Sequence, residues 1–71
     1  MTNFTNPAEI LDTLEAASYL KLAAVTLERR RIQGDGPPYL KLGKSVRYRR
    51  GDLDVWLASR LIRSTSQTIE V

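Results

Sequence analysis

Apolar positions follow two periods along this chain, one typical of helices and one typical of strands. Between residues 11 and 20, the apolar residues at helical spacing are Ala16, Tyr19 and Leu20. Asp12 precedes them and Glu15 stands three residues later, which is the spacing of a capping box. The pattern predicts that the ordered structure begins near Asp12 with a short helix that buries one face.

A second helical pattern runs from Ala23 to Gln33 and ends at Gly34, with Gly36-Pro37-Pro38 beyond it. Its inward face is predicted to hold Ala23 or Ala24, Leu27, and the stem of Arg30 or Arg31. Its outward face is predicted to hold Val25, Glu28, Arg29 and Ile32. About three residues connect the two helices, as a helix-turn-helix requires, and Lys21 stands near the place of the usual turn glycine.

Strand spacing follows in two short runs, 39–42 and 46–49, around a turn at 43–45 that contains a glycine. Alternation predicts an apolar side of the hairpin with Leu40, Leu42, Val46 and Tyr48. The basic residues then project from the other side or from the tip: Lys41, Lys44, Arg47 and Arg49. These runs predict a two-stranded wing.

The last helical pattern begins around Gly51 and Asp52 and runs to Leu61. Its core-facing positions are Leu53, Trp56, Leu57, and then Arg60 or Leu61. Asp52 and Asp54 in the first turn and Arg60 in the last match the helix dipole. We expect Trp56 to be the largest single contributor to the core rather than a base-stacking residue.

Together these elements predict a mainly helical α+β fold, a winged helix-turn-helix with a two-stranded β-hairpin wing and a C-terminal helix. The domain is expected to span residues 11–62. Residues 1–10 are expected to form a flexible lead and residues 63–71 a flexible tail.

The basic residues are concentrated in the middle of the chain. Residues 29–50 include eight basic side chains and one acidic one, Asp35, and carry a charge of +7, whereas the rest of the chain carries −4. A basic centre between acidic ends favours a polyanion that docks on one face. In an arbitrary protein, a run of basic residues is as often a solvated surface as a binding site for a polyanion. The fold has to decide between these two interpretations.

Composition excludes several classes of function. The chain has no cysteine for a disulfide or thiolate zinc site, and no histidine as general base or metal ligand. We therefore expect no catalytic residue, no metal and no cofactor. No apolar run approaches the roughly 18 to 20 residues that cross a bilayer, and the N-terminus lacks the features of a secretory signal. A cytoplasmic protein without a membrane partner is expected.

Several strings occur together between Leu11 and Leu61. They are the run 12–20, Thr26-Leu27, Arg31, Gly34-Asp35-Gly36-Pro37-Pro38-Tyr39, Lys41-Leu42-Gly43-Lys44, Val46-Arg47-Tyr48-Arg49-Arg50 and Asp52-Leu53-Asp54-Val55-Trp56-Leu57. In this order they resemble the excisionase-type helix-turn-helix proteins, which are related in architecture to MerR-type winged-helix DNA-binding domains. The chain departs from the common pattern at Gly51, where a serine usually caps the last helix, at Ala23-Ala24, which replaces Ser-Pro, and at Arg30, where an aromatic residue is frequent.

The resemblance implies that the second helix enters the major groove of DNA. Major-groove contacts are then expected from Val25, Thr26, Glu28, Arg29 and Arg30. Arg29 would pair with a guanine, Glu28 would accept from a cytosine amino group, and Val25 would touch a thymine methyl. Two alternatives stay open: Glu28 as an exposed charge paired with neighbouring arginines, and Thr26 as a partly buried packing residue.

The wing and its flanks are expected to contact phosphates or the adjacent minor groove. The candidates are Lys41, Lys44, Ser45, Arg47, Arg49 and Arg50. One of Arg30, Arg31 and Arg50 is instead expected to support the fold through Asp52 or Asp54. The facing of the helix favours Arg31 for that role.

A module this small covers a short DNA site, so several copies on neighbouring sites are expected. The resemblance implies an excisionase, a recombination directionality factor that binds and bends attachment-site DNA for an integrase (a tyrosine recombinase), in a bacterium or phage and associated with the nucleoid. The alternative within the same family is an AlpA-like transcriptional regulator that acts on RNA polymerase at a promoter.

Two other classes of function were weighed. Without histidine or cysteine, an enzyme would need a carboxylate pair or an activated serine or lysine. Asp52 and Asp54 are already explained as first-turn helix residues, so no enzymatic activity is expected. A protein- or RNA-binding adaptor that uses the basic face is the remaining alternative, with Tyr39 and Tyr48 as its candidate stacking residues.

Overall fold

The computed structural model describes residues 6–63 as three helices and three strands. In chain order these are β1 (Ile10–Leu11), α1 (Thr13–Leu20), α2 (Ala24–Gln33), β2 (Leu40–Leu42), β3 (Ser45–Arg49) and α3 (Arg50–Ser59). The predicted α+β class and winged helix-turn-helix architecture are confirmed. The predicted flexible lead and tail fall largely outside the described residues, at 1–5 and 64–71, and the domain limits stay a prediction.

Helix α1 begins where local chemistry predicts. The amide of Glu15 donates to Asp12 Oδ1 at 2.8 Å, and the amide of Asp12 donates to Glu15 Oε1 at 2.9 Å. This capping box satisfies two amide groups that the first helical turn leaves without partners. The predicted cap is therefore confirmed, and the helix buries Ala16, Ala17 and Leu20.

The turn between α1 and α2 is three residues long and has no glycine. Lys21 itself adopts the left-handed conformation, with φ of 61°, and its amide donates to the carbonyls of Ala17 and Ser18. A β-carbon makes this conformation unfavourable by about 1 to 2 kcal/mol. The chain therefore carries local strain at the point that sets the angle between the two helices.

Helix α2 ends at Gly34, as predicted, with φ of 84° and an amide that donates to the carbonyls of Arg30 and Arg31. Leu27 is fully buried and Ala24 packs beside the core, which confirms the predicted inward face. Val25 and Ile32 are 64% and 81% exposed, which confirms the outward face.

The sheet has three antiparallel strands in the order β1-β3-β2, one more than the predicted wing. Strand β1 pairs with β3 through Ile10 opposite Arg49 and Leu11 opposite Tyr48. The ordered structure therefore starts before Asp12. Two residues without an alternating pattern carry no strand signal of their own, and their partner lies far along the chain.

The register of the hairpin corrects the predicted separation of apolar and basic side chains. Leu40 lies opposite Arg47, and Lys41 lies opposite Val46. Directly opposed residues of antiparallel strands share a face, so Leu40 shares its face with Arg47 rather than with Val46. A two-residue turn, in which Gly43 has φ of 65°, sets this register.

Helix α3 begins at Arg50, so Gly51 lies inside the helix. The family resemblance implied a cap position for Gly51, and this expectation is wrong. The amides of Arg50 and Gly51 donate to the carbonyls of Glu9 and Pro7, at 3.0 and 2.9 Å. A β-carbon on Gly51 would lie 3.0 Å from Pro7 Cβ. The N-terminal segment thus caps the last helix, and glycine permits its close approach.

The core lies between α1, α2, β3 and α3. Its buried residues are Leu11, Ala16, Ala17, Leu20, Leu27, Tyr48 and Leu53. Tyr48, rather than Trp56, is the largest fully buried side chain, and Trp56 packs at the margin. The predicted burial of Leu57 is wrong, since it is 40% exposed. Of the two alternatives for the last position, Leu61 is 65% exposed, whereas Arg60 lies over the Trp56 ring.

Candidate nucleic-acid interface

The outward face of α2 presents four side chains within an arc of about 100°, since successive residues of an α-helix are rotated by about that angle. The four exposed residues are Val25, Glu28, Arg29 and Ile32. Thr26 borders this face and is half-buried, so a packing contribution and a DNA contact are both compatible with its position. The structure thus places three of the five predicted site residues of this helix on one exposed face, with Thr26 at its border.

Arg30, the fifth, lies apart from that face. Its guanidinium group is 3.3 Å from the carboxylate of Asp35 and 5.7 Å from the centre of the Trp56 ring. Arg60 lies over the same indole at 5.1 Å and donates to the carbonyl of Asp35. Arg30 therefore joins α2 to α3, which corrects its predicted place in the groove-facing set.

Arg31 supports the fold, as its facing predicted, but through tyrosines rather than Asp52 or Asp54. Its Nη1 atom lies 3.4 Å from the Tyr48 hydroxyl, and its guanidinium lies 5.9 Å from the centre of the Tyr39 ring. The arginine that reaches Asp52 is Arg49, at 3.0 Å.

Arg50 lies near the β1 edge of the sheet, next to the N-terminal segment, whereas β2 forms the other edge. It lies 2.6 Å from the Glu9 carboxylate, and its guanidinium is 4.6 Å from the centre of the Tyr19 ring. The bond to Glu9 raises the pKa of Arg50 above its ordinary value. Tyr19 in turn donates its hydroxyl to Asp54, and this bond raises the pKa of the phenol.

Ion pairing divides the predicted basic residues into two groups. Within residues 6–63, Arg30, Arg49 and Arg50 each have a carboxylate partner within 4.0 Å. Over the same residues, four other predicted cations have no carboxylate partner at that distance: Arg29, Lys41, Lys44 and Arg47. Unpaired cations retain their full attraction for an external anion.

These four cations occupy α2 and the hairpin. Lys41 and Lys44 are exposed, while Ser45 and Arg47 are half-buried. Arg47 donates from Nη1 to the carbonyl of Val46 at 2.8 Å, which leaves its other guanidinium nitrogens available. Among the predicted cations, the charge available to a polyanion therefore lies on α2 and the hairpin.

Leu42 is the residue of this surface that sequence reasoning missed. It was predicted on the apolar side of the hairpin, yet it is 55% exposed at the last position before the turn. Its pairing with Ser45, next to the turn, explains its exposure. That pairing depends on the strand register, which the alternation of apolar and polar residues does not reveal.

The described residues do not form a candidate metal-binding site. Within residues 6–63, no group of three or more histidine, cysteine, aspartate or glutamate side chains converges as a metal site. Among the helices described, none combines the length and apolar character needed to span a bilayer.

The profile of the helix-turn-helix domain family matches residues 10–61, which is most of the chain. The chain belongs to the helix-turn-helix domain family. The predicted resemblance is confirmed, since this is the family found in excisionase and AlpA-like small DNA-binding proteins. A search of curated proteins found no match to the chain.

Membership in the helix-turn-helix family supports binding to double-stranded DNA, and domains of this family are typically non-enzymatic. In such domains the second helix of the motif lies in the major groove, and here that helix is α2. The matched segment begins at Ile10 and so includes strand β1.

Proposed function

We propose that this helix-turn-helix protein binds double-stranded DNA sequence-specifically and acts as an excisionase, a recombination directionality factor that shapes attachment-site DNA for an integrase. The observation that carries the DNA-binding part is the division of charge. Arg29, Lys41, Lys44 and Arg47 lack carboxylate partners among the described residues, and they lie on the recognition helix and the wing. The excisionase role rests on the family in which the domain occurs.

In this proposal α2 reads base edges in the major groove. Arg29 donates two hydrogen bonds to a guanine, Glu28 accepts one from a cytosine amino group, and Val25 packs on a thymine methyl group. Thr26, at the border of the face, donates to a phosphate or a base. Their common exposed face supports this assignment.

The wing supplies affinity and register. Lys41, Lys44 and Arg47 bind phosphates, and Ser45 donates a hydrogen bond beside them. Arg49, with 52% of its side chain exposed, contributes charge although it is paired with Asp52. Arg50 is assigned to the fold rather than to DNA, because only 18% of its side chain is exposed and Glu9 pairs with it.

The test of DNA binding is a fluorescence anisotropy titration against mixed-sequence duplex DNA at several salt concentrations. We compare the wild-type chain with the double variant Arg29→Ala, Arg47→Ala. Each lost phosphate contact flattens the dependence of log K on log salt by about 0.9. The double variant should therefore bind more weakly and with a shallower slope.

Arg50→Gln serves as the matched control, because it removes a positive charge that an ion pair already compensates. It should leave the salt slope close to that of the wild type. If the wild type fails to bind duplex DNA at low salt, the proposal is wrong, and stronger binding to RNA or to an acidic protein would support the adaptor alternative.

Several copies on adjacent sites would give the specificity that one small module lacks. A second assay separates the two roles that share this surface. In a reaction with a cognate integrase, an excisionase raises excision of an attachment-site substrate. A transcriptional regulator of the AlpA-like type instead changes output from a promoter and leaves excision unchanged.

A further inference from the structure

The tip of the wing combines an exposed apolar side chain with cations on both faces of the hairpin. Leu42 is 55% exposed and directly precedes the turn residues Gly43 and Lys44. Lys41 lies on one face of the hairpin, opposite Val46, and Arg47 lies on the other, the face of Leu42. An apolar group thus shares one face of the hairpin tip with Arg47, and Lys44 follows it in the turn.

We infer that Leu42 enters the DNA minor groove and makes the wing prefer A·T over G·C base pairs. This inference rests on the proposed function, since it assigns a specificity-determining residue to the same DNA-binding surface. Leu42 would then add a second base-specific contact to those of α2. It contacts the floor of the minor groove, whereas α2 contacts base edges in the major groove.

Size supports the minor groove as the site of Leu42. That groove is about 6 Å wide, whereas two paired strands lie about 4.8 Å apart before their side chains are counted. The hairpin as a whole does not fit, so only a side chain at the tip can reach the floor. Gly43 has no side chain, and a β-carbon there would meet no atom within 4 Å. Leu42 and Lys44 are therefore the bulky side chains at the tip, and Leu42 is the apolar one.

The charges match the walls of the groove. Two rows of phosphates border the minor groove, and the hairpin offers Lys41 on one face and Arg47 on the other, with Lys44 in the turn. Lys41 and Arg47 can each bind a phosphate row, with Leu42 beside Arg47 on the same face of the hairpin. Leu14, another exposed apolar residue at 70%, lies instead beside Glu9 and Glu15.

The preference for A·T follows from the chemistry of the groove floor. A G·C pair places the guanine 2-amino group in the minor groove, whereas A·T pairs present acceptors alone. An apolar side chain cannot hydrogen-bond to that amino group and shields it from water. The bulk of the amino group also keeps the side chain away from the groove floor. Removing the amino group should therefore allow closer contact with Leu42.

Replacing guanine with inosine isolates this effect, because inosine lacks the 2-amino group and keeps the major-groove pattern of guanine. Anisotropy titrations compare the full chain on one duplex that contains guanine and on the same duplex with inosine throughout. We expect the wild type to bind the inosine duplex roughly fivefold more tightly, the scale for burying about half of a leucine side chain.

The variant Leu42→Ala should lose that preference while it still binds the guanine duplex. Leu42→Thr, which introduces a β-branched residue that favours strands, is the second variant in case alanine weakens the hairpin. Leu14→Ala is the matched control, and it should keep the wild-type preference. Circular dichroism melting confirms that all three variants fold.

The outcomes separate this inference from the proposed function. Binding to both duplexes without an inosine preference, or a preference that Leu42→Ala retains, overturns the role of Leu42 and leaves DNA binding intact. An equal loss of affinity of Leu42→Ala on both duplexes also overturns it, because the contact would then be with the backbone. No binding of the wild type to either duplex refutes the proposed function itself.

Discussion

The guanidinium group of Arg50 lies 2.6 Å from the carboxylate of Glu9, which is 41 residues earlier in the chain. The same two residues are joined through the backbone, where the Arg50 amide donates to the Glu9 carbonyl at 3.0 Å. Since only 18% of the Arg50 side chain is exposed, this arginine is part of the fold. Two arginines close to it in sequence have other partners: Arg49 pairs with Asp52, and Arg47 donates to the carbonyl of Val46.

Replacing Arg50 and Arg47 should therefore give opposite results. Arg50→Ala should lower the melting temperature, because it removes the ion pair with Glu9 and the contact with the Tyr19 ring. Arg47→Ala should leave melting almost unchanged and weaken DNA binding. Thermal unfolding and anisotropy titrations of both variants measure this. Equal effects of the two variants on DNA affinity would contradict the assignment.

Lys21→Gly should stabilise the protein by about 0.5 to 1 kcal/mol. The left-handed backbone at φ of 61° is unfavourable for a residue with a β-carbon, and glycine relieves this at a smaller entropic cost. Urea unfolding monitored by circular dichroism measures the change. Lys21→Ala is the control, since it removes the charge but keeps the β-carbon and should not stabilise. A gain for both variants would attribute the effect to charge instead.

Stability should fall at alkaline pH through Tyr19. The hydrogen bond to Asp54 raises the pKa of this phenol above 10.0, and Arg50 acts in the opposite direction more weakly. The folded chain holds the proton more tightly than the unfolded chain, so the contribution is complete below about pH 10 and disappears as pH rises through the folded-state pKa.

Urea unfolding between about pH 8 and about pH 11 measures that loss. Tyr19→Phe is the comparison: it should be less stable than the wild type near neutral pH, and the difference should shrink as the pH rises. Tyr39 and Tyr48 are present in both proteins and cancel. A constant difference across this range would show that the Tyr19 hydroxyl does not hold its proton through Asp54.

Arg30→Ala should destabilise the protein by about 1 to 2 kcal/mol, through loss of the ring contact with Trp56 and of the bond to Asp35. Trp56 fluorescence should change as well, because the guanidinium group leaves the indole. Arg29→Ala is the matched control one residue away: it should lower DNA affinity but change neither stability nor fluorescence. A reversed pattern would place Arg30, rather than Arg29, at the DNA.

Local chemistry in the sequence determined most of the helical framework. The Asp12–Glu15 capping box, the stop at Gly34 and the glycine turn of the hairpin act over a few residues, so their patterns predict them directly. The outward set on α2 follows from helical periodicity in the same way. The family resemblance rested on these same strings, and it is confirmed.

The tertiary structure alone decided which arginines are free and which residues meet across the sheet. Pairing of β1 with β3, capping of α3 by Pro7 and Glu9, and the contact between Arg30 and Trp56 join residues that are distant in sequence. The hairpin register likewise moved Leu42 out of the apolar face. Charge and periodicity identify candidates along the chain, but partners brought together by folding determine which of them remain available to DNA.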